Sequence, residues 1–332
     1  MSAILVLVEA ADEGPDRLSA EALGLAGRLA GTLGGEVHAV VVAASDDVPA
    51  AEATARDLGR YGVATAHLVT DDRLTTYAPA AWGAAVAGIV TGGSFAAVVA
   101  PGSEKGTEVL AHVAARIGVP MAANVVSVDL GDRWHVTRQR WAGSLLEEAW
   151  LDGEPRAFTV APHAVPALEP SAAGQSTVVR VQPALTDNDL RARVVGQDRA
   201  AADRVSLADA KVVVGGGRGL GSAEAFAMLD ELAGLLGAAV GVSRVATSLG
   251  WRPHAQQIGQ TGTRIAPDLY IACGISGAIQ HIVGAKSAKR ILVINTDPDA
   301  PIFRRATYAV IGDVHAIVPA ISNEIRRVRG VG

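Results

Sequence analysis

The 332-residue chain contains one cysteine, Cys273, so an internal disulfide is excluded and a cytoplasmic or organelle-matrix compartment is expected. Aromatic residues make up only 4%, and Ala, Val, Leu and Gly dominate. Side chains this small let helices lie close on a sheet, which suits α/β layering. Long hydrophobic runs are missing. The longest weakly polar stretch, residues 78–90, is well short of the roughly 20 residues that span a bilayer, despite a positive mean hydropathy of +0.28. Positive charge is also in short supply, with 29 Lys+Arg against 34 Asp+Glu and a net charge of −5. That balance argues against nucleic acid as the main partner. No basic lead precedes the apolar run at residues 3–8, which stops at Glu9. It reads as a strand and not as a signal peptide. The eight histidines are scattered without a pair at metal-binding spacing, so no metal site is expected.

Short Val/Ile/Ala runs alternate with helical patterns from the start. Strands at 4–8 and 37–42 flank a helix at 18–33, closed by Gly34-Gly35. A helix at 50–60, a strand at 65–69, a small-residue helix, a strand at 97–100 and a helix at 107–117 follow, which implies a mostly parallel sheet. After Pro120 the texture changes. Runs at 125–128, 134–141, 145–151 and 156–160, with turns at Gly131-Asp132, Gly143 and Gly153, read as an antiparallel meander attached to that sheet. Residues 162–176 carry Pro162, Pro166, Pro170 and Gly174, and form a loop or linker. The expected division is an N-terminal α/β domain over 1–199 and a Rossmann-like domain over 200–332. The second has strands at 211–214, 239–242, 269–272, 291–294 and 309–311. Its helix at 223–236 has Ser222 as cap, Phe226, Leu229, Ala233 and Leu236 on one face, and Gly237 to close it. A final helix at 316–328 ends in Arg326, Arg327 and Arg329, a solvated positive end that complements the helix dipole.

Three loops of the second unit lie at the carboxyl ends of strands, where open α/β sheets bind ligands. Gly215-Gly216-Gly217-Arg218-Gly219-Leu220-Gly221 offers glycines that let backbone approach a phosphate and an arginine that adds charge. It is neither a G-x-G-x-x-G string nor a P-loop, and a plain tight turn is the alternative. Gln257-Ile258-Gly259-Gln260-Thr261-Gly262 offers amides, a hydroxyl and flexible glycines in a connection, residues 250–267, of functional length. Gly274-Ile275-Ser276-Gly277-Ala278-Ile279-Gln280-His281 follows an apolar strand directly and places free N–H groups at a helix start, an anion site. A partly buried structural role is the alternative for His281. Cys273 reads as a buried, inert thiol. The same segment is one residue short of a G-x-S-x-G nucleophile elbow, and Asp297 and His315 follow in the order of a serine α/β-hydrolase. That reading leaves the other two loops without a role.

Taken together, the strings Lys211-Val-Val-Val-Gly-Gly-Gly-Arg-Gly-Leu, Ser243-Arg244, Ile258-Gly-Gln-Thr-Gly, the run from Pro267 to His281 and the run from Asn295 to Phe303 resemble the electron transfer flavoprotein alpha subunit. The resemblance implies a carrier, not an enzyme: no catalytic residue, FAD as cofactor, and a heterodimer with a beta subunit whose own nucleotide is AMP. It implies that the N-terminal domain contacts that partner. It implies electrons from flavin dehydrogenases, as in fatty acid β-oxidation, and a membrane quinone oxidoreductase as acceptor. Ser276, Gly277, Ala278, Ile279, Gln280 and His281 would hold the pyrophosphate and approach the flavin. Ile258, Gly259, Gln260 and Thr261 would line the isoalloxazine, with Thr261 near N5. Asn295, Asp313 and Val314 would face the adenosine, Arg218 and Ser243 would complete the pocket, and Arg244 would lie over the ring. A cation ~4 Å from the reduced ring at an effective dielectric of about 20 contributes roughly 4 kcal/mol, at most on the order of 170 mV. Arg244 and His281 are therefore expected to tune potential. Two positions depart from the family: Thr247-Ser248 stands where Val-Asp is common, and Thr307 replaces an aspartate before Tyr308. An NAD-dependent Rossmann dehydrogenase is the other alternative, but its fingerprint and acid/base are not found.

Overall fold

Six consecutive apolar residues form β1 (Ala3–Val8), buried along its whole length, and a strand buried on both faces needs helices on both sides. The computed structural model describes residues 3–11, 14–196 and 206–330, and the chain divides into two compact units, Met1–Asp198 and Arg199–Gly332. In the first unit β2 (Val37–Val42), β3 (Val63–Val69) and β9 (Thr177–Val181) extend the sheet from one side of β1. On the other side come β4 (Phe95–Pro101), β8 (Arg156–Val160), β5 (Met121–Leu130), β6 (Trp134–Arg140) and β7 (Leu145–Leu151). Helices α1 (Arg17–Leu33) and α2 (Val48–Asp57) pack on one face, α3 (Pro79–Gly92) and α4 (Glu104–Ile117) on the other. Asp16 caps α1 by accepting from Ser19 N at 2.7 Å.

The antiparallel extension is smaller than the turns suggest. Among the described strands of this sheet, the antiparallel pairs are β5–β6 and β6–β7. Residues 156–160 instead pair parallel with both β4 and β5. Their burial explains this: Ala157, Phe158, Thr159 and Val160 are all buried, as an interior strand requires, whereas β7 leaves Leu145, Leu146 and Trp150 exposed. Strand β9, absent from the sequence reading, is a half-exposed edge whose pattern is not that of a buried run.

The described residues of the second unit form five parallel strands in the order β11-β10-β12-β13-β14. These are β10 (Val212–Gly216), β11 (Ala239–Val242), β12 (Leu269–Cys273), β13 (Ile291–Asn295) and β14 (Tyr308–Ile311). Numbered within the unit, the order is 2-1-3-4-5, a doubly wound sheet whose winding reverses between β10 and β12. Helices α5 (Ala227–Leu236) and α8 (Val314–Arg329) cover one face with α6 (Arg244–Ser248), and α7 (Ile279–Ala285) covers the other. Ser222 does not cap an α-helix directly. Its Oγ accepts from Ala225 N at 3.4 Å, in a 3-10 turn (Glu224–Phe226) that leads into α5. The arginines ending α8 are partly spent on ion pairs, Arg326 with Glu231 at 2.8 Å and Arg327 with Glu324 at 2.6 Å. No described helix is long and apolar enough to cross a membrane.

Candidate functional site

The chain leaving β10, β11, β12 and β13 at their carboxyl ends encloses a cleft of about 740 Å³, at the point where the winding reverses. Open α/β sheets bind ligands there. Another cavity, about 690 Å³, lies in the first unit against His38, His67 and Phe95. Its two imidazoles hydrogen-bond to each other at 3.2 Å, and Gly92 at the end of α3 closes part of it. A helix carboxyl end repels anions, so the cleft of the second unit is the better candidate for a nucleotide.

The glycine-rich turn at the end of β10 packs as the plain tight turn, the alternative reading of this loop. A Cβ on Gly216 would lie 2.4 Å from Phe226, one on Gly217 2.4 Å from the Gly274 carbonyl, and one on Gly219 2.7 Å from Gly274 Cα. Gly217 N donates to Cys273 O at 3.0 Å and Gly219 N to Gly274 O at 2.9 Å. These amides hold the β10 turn against the β12 turn and are not free for a phosphate. Of this loop, Arg218 and Gly219 reach the cleft wall.

The turn after β12 keeps its donors. Gly274 and Gly277 have φ of 61° and 83°, a left-handed conformation favoured by glycine. Among the described residues the N–H groups of Ser276, Gly277 and Ala278 donate to no protein acceptor. Ser243, at the N-cap of α6, makes no cap hydrogen bond, and its buried Oγ has no partner. An N-cap serine ordinarily satisfies a backbone donor, and this hydroxyl does not. Arg218 and Arg244 line the same cleft, exposed and without an ion-pair partner among the described residues.

Residues 257–261 form the opposite wall. Ile258 N donates to Val242 O at 2.9 Å and Gln260 N to Gln280 O at 2.8 Å, so the loop is tied to β11 and to α7. Gln257 is buried, and its carboxamide bridges Thr247 Oγ1 at 2.7 Å and Thr261 Oγ1 at 3.0 Å. Thr247 stands at one family departure, and here its hydroxyl helps to anchor Gln257. At the other departure, Thr307 Oγ1 accepts from Ile291 N at 3.1 Å, away from the cleft. Asn295 lines the cleft while its Nδ2 donates to Ile275 O at 2.9 Å.

His281 completes the interior. Its Nε2 lies 2.8 Å from Tyr270 Oη, while Nδ1 is buried without a partner. Burial pushes the imidazole down from 6.5 to about 4, with the Ile258 backbone acting in the opposite direction. His281 is therefore neutral near pH 7, and the fixed positive charge of the cleft resides on Arg218 and Arg244. Burial also pushes the Cys273 thiol up to about 12, which removes it from redox or nucleophilic use.

Of the residues expected at the site, Arg218, Ser243, Arg244, Ile258, Gly259, Gln260, Thr261, Ser276, Gly277, Ala278, Gln280, His281 and Asn295 converge on the cleft. Ile279 is exposed outside it, Asp313 caps α8 through His315 N at 2.9 Å, and Val314 is buried in the core beneath that helix. The sequence reading named Gln257 in its loop and Thr247 as a departure from the family without foreseeing the bond between them, and it did not single out Tyr270, whose part is visible only once residues distant in the chain meet. Among the described residues no hydrogen bond or ion pair joins Ser276, Asp297 and His315, so the hydrolase arrangement lacks its nucleophile–base contact. No group of three or more His, Cys, Asp or Glu able to hold a metal occurs among them either.

Residues 206–286 match the family described as electron transfer flavoprotein FAD-binding domain, and residues 4–186 match the electron transfer flavoprotein domain. The chain is similar to the electron transfer flavoprotein subunit alpha of Bacillus subtilis, 34% identical over 98% of this chain and 97% of the relative. The subunit alpha of Mycobacterium leprae is 36% identical over 99% of this chain and all of the relative. That of Mycobacterium tuberculosis is 38% identical over the same shares. Among solved structures, a thiamin diphosphate-dependent enzyme from Mycobacterium smegmatis aligns with 96% of this chain and 59% of its own at 12% identity. Its TM-score of 0.24 is too low to inform the fold.

Proposed function

We propose, for a chain that belongs to the electron transfer flavoprotein alpha-subunit family, that the FAD of this electron-transfer protein is held in the cleft at the winding reversal of the second unit. The protein is a carrier and not a catalytic enzyme, and FAD is its cofactor. The observation that carries the placement is the pairing of unused donors in one cleft: the free N–H groups of residues 276–278, the unpartnered Ser243 hydroxyl and the buried, unpaired His281 Nδ1. Buried polar groups are ordinarily satisfied, and a dinucleotide with a flavin ring supplies acceptors for all three.

In this reading Ser276, Gly277, Ala278 and Gln280 hold the pyrophosphate, with Ile279 at the start of α7. Ile258, Gly259, Gln260 and Thr261 line the ring, Thr261 toward N5. Arg244 lies over the ring, and Arg218 and Ser243 close the pocket. Asn295, with Asp313 and Val314 at the start of α8 beyond the carboxyl end of β14, would hold the adenosine. When bound, FAD supplies reversible uptake and release of single electrons. The chain's own contribution is to orient, exclude water and set the field. Arg218 and Arg244 place positive charge on one side. His281 adds a neutral donor dipole, and Gln257 fixes the Thr261 hydroxyl from behind.

The partner reading rests on the first unit. The β6–β7 hairpin leaves Trp141, Leu145, Leu146 and Trp150 exposed, Trp141 with a left-handed φ of 50° and 79% of its surface in water. Such a patch is characteristic of a surface that another chain covers. We assign it to the beta subunit, which carries AMP in its own site. The complex takes electrons from flavin dehydrogenases, including those of fatty acid β-oxidation, and delivers them to a membrane quinone oxidoreductase from the cytoplasmic side.

The test is the visible absorption of the co-purified heterodimer during stepwise anaerobic reduction. A bound-flavin spectrum that changes in one-electron steps supports the carrier assignment. A colourless protein that added FAD does not reconstitute would refute the assignment of the cleft.

A further inference from the structure

We propose that Tyr270 is a positioning residue: its hydroxyl holds Nε2 of His281, so that the imidazole proton resides on Nδ1 and is offered as a donor to the cofactor in the cleft. The inference rests on the placement of FAD given above. Tyr270 lies in β12 and is fully buried behind the cleft wall, and its side chain contributes nothing to the cleft surface. Among the described residues its hydrogen bond to the site is the 2.8 Å one to His281 Nε2, whose ring it also meets at a centroid distance of 6.1 Å.

The direction of that bond follows from proton counting. A phenol has one proton to donate, and burial pushes its ionisation well above 10, so Tyr270 keeps that proton at any working pH. Among the described residues Nε2 of His281 is the one acceptor within reach of the hydroxyl. Burial keeps the imidazole neutral near pH 7, and a neutral imidazole has one N–H and one lone pair. If Nε2 accepts from the phenol, the proton must be on Nδ1. The tautomer is set by the bond that the other nitrogen makes.

Mutual satisfaction of two core residues accounts for Oη and Nε2 but not for Nδ1. That atom is buried and unpaired, on a residue that lines the cleft. The Ile258 backbone favours the protonated ring but does not stand in hydrogen-bonding geometry to Nδ1. A ligand acceptor in the cleft is what the N–H lacks. The neighbouring strand is shaped for the same bond: a Cβ on Gly215 would lie 2.4 Å from Tyr270 Oη. Any other residue there would displace the hydroxyl. Gly215, within β10, thus bears on the cofactor indirectly, through Tyr270 and His281.

The experiment uses the full heterodimer labelled with [15N]histidine, with and without FAD, His281 being assigned by the signal lost in His281→Gln. Long-range 1H–15N correlations read its tautomer, and a redox titration reads the flavin midpoint potential. In the wild-type protein the proposal expects His281 protonated on Nδ1 and unprotonated on Nε2. An Nε2–H tautomer overturns it, and this arm does not depend on any variant folding. Tyr270→Phe should retain FAD, show a mixed tautomer and lower the midpoint potential, because a donor is withdrawn from the ring that gains electrons. A variant with a mixed tautomer and an unchanged potential would also overturn the proposal, leaving Tyr270 a core residue. A wild-type heterodimer without flavin would sink the cofactor placement itself, which the tautomer signal distinguishes from an error in the Tyr270–His281 bond.

Discussion

His281 and Arg244 divide the electrostatics of the cleft between a neutral dipole and a fixed charge, and the two respond differently to substitution and pH. For Arg244→Ala, FAD should stay bound while its midpoint potential falls. A cation ~4 Å from the ring at an effective dielectric of about 20 sets an upper limit near 170 mV, and the exposure of this side chain makes the measured drop smaller. An unchanged redox titration would remove Arg244 from the ring. For His281, the folded-state value of about 4 lies below the ordinary 6.5. The folded chain then binds fewer protons than the unfolded one. The contribution of the neutral ring is fully present above about pH 6.5 and is lost as pH falls toward 4. Denaturant unfolding of the FAD-free chain should lose stability across that window, on the order of 3 kcal/mol at most, and His281→Asn should flatten the loss. Both residues were legible because they sit in strings that resemble a family. Tyr270 and Gln257 were not. One reads as a strand residue and the other as a loop amide until the fold brings His281 and Thr261 against them.

At the scale of elements, the turn after β10 shows where sequence reading stops. Its glycines signalled close backbone approach, and the partner that approaches them in the fold is the turn after β12. Sequence shows that a Cβ is missing, not what would occupy its place. Gly217→Ala would set a methyl 2.4 Å from the Gly274 carbonyl, and neither backbone can yield without moving a cleft wall. Thermal unfolding should show a loss of about 1–3 kcal/mol, together with reduced flavin content. Gly234→Ala, in open space on α5, should leave flavin unchanged and add up to about 1 kcal/mol. Equal effects of the two substitutions would contradict the packing role. The strands themselves were largely visible because buried parallel strands read as apolar runs. The parallel pairing of β8 was not, since hairpin-like turns precede it and only its burial between β4 and β5 decides the matter.

For the whole molecule, strand order matters more than strand content. The order 2-1-3-4-5 places the turns after β10 and β12 on either side of the winding reversal, and the cleft forms there because the chain diverges. The alternation of strands and helices told of a parallel sheet, but long-range pairing order has no local signal in one sequence. The first unit's exposed hairpin concerns assembly: Trp141→Ser with Leu146→Ser should weaken pairing with the beta subunit at least tenfold while leaving the thermal unfolding of the isolated chain unchanged. Unaltered pairing in a sedimentation titration would move the interface elsewhere. The most direct measurement for the central claim is a crystal structure of the FAD-loaded heterodimer. The flavin ring is expected between Arg244 and residues 257–261, with His281 Nδ1 and Thr261 Oγ1 in hydrogen-bonding range. Flavin lodged against His38 and His67 in the first unit, or outside this chain altogether, would contradict it.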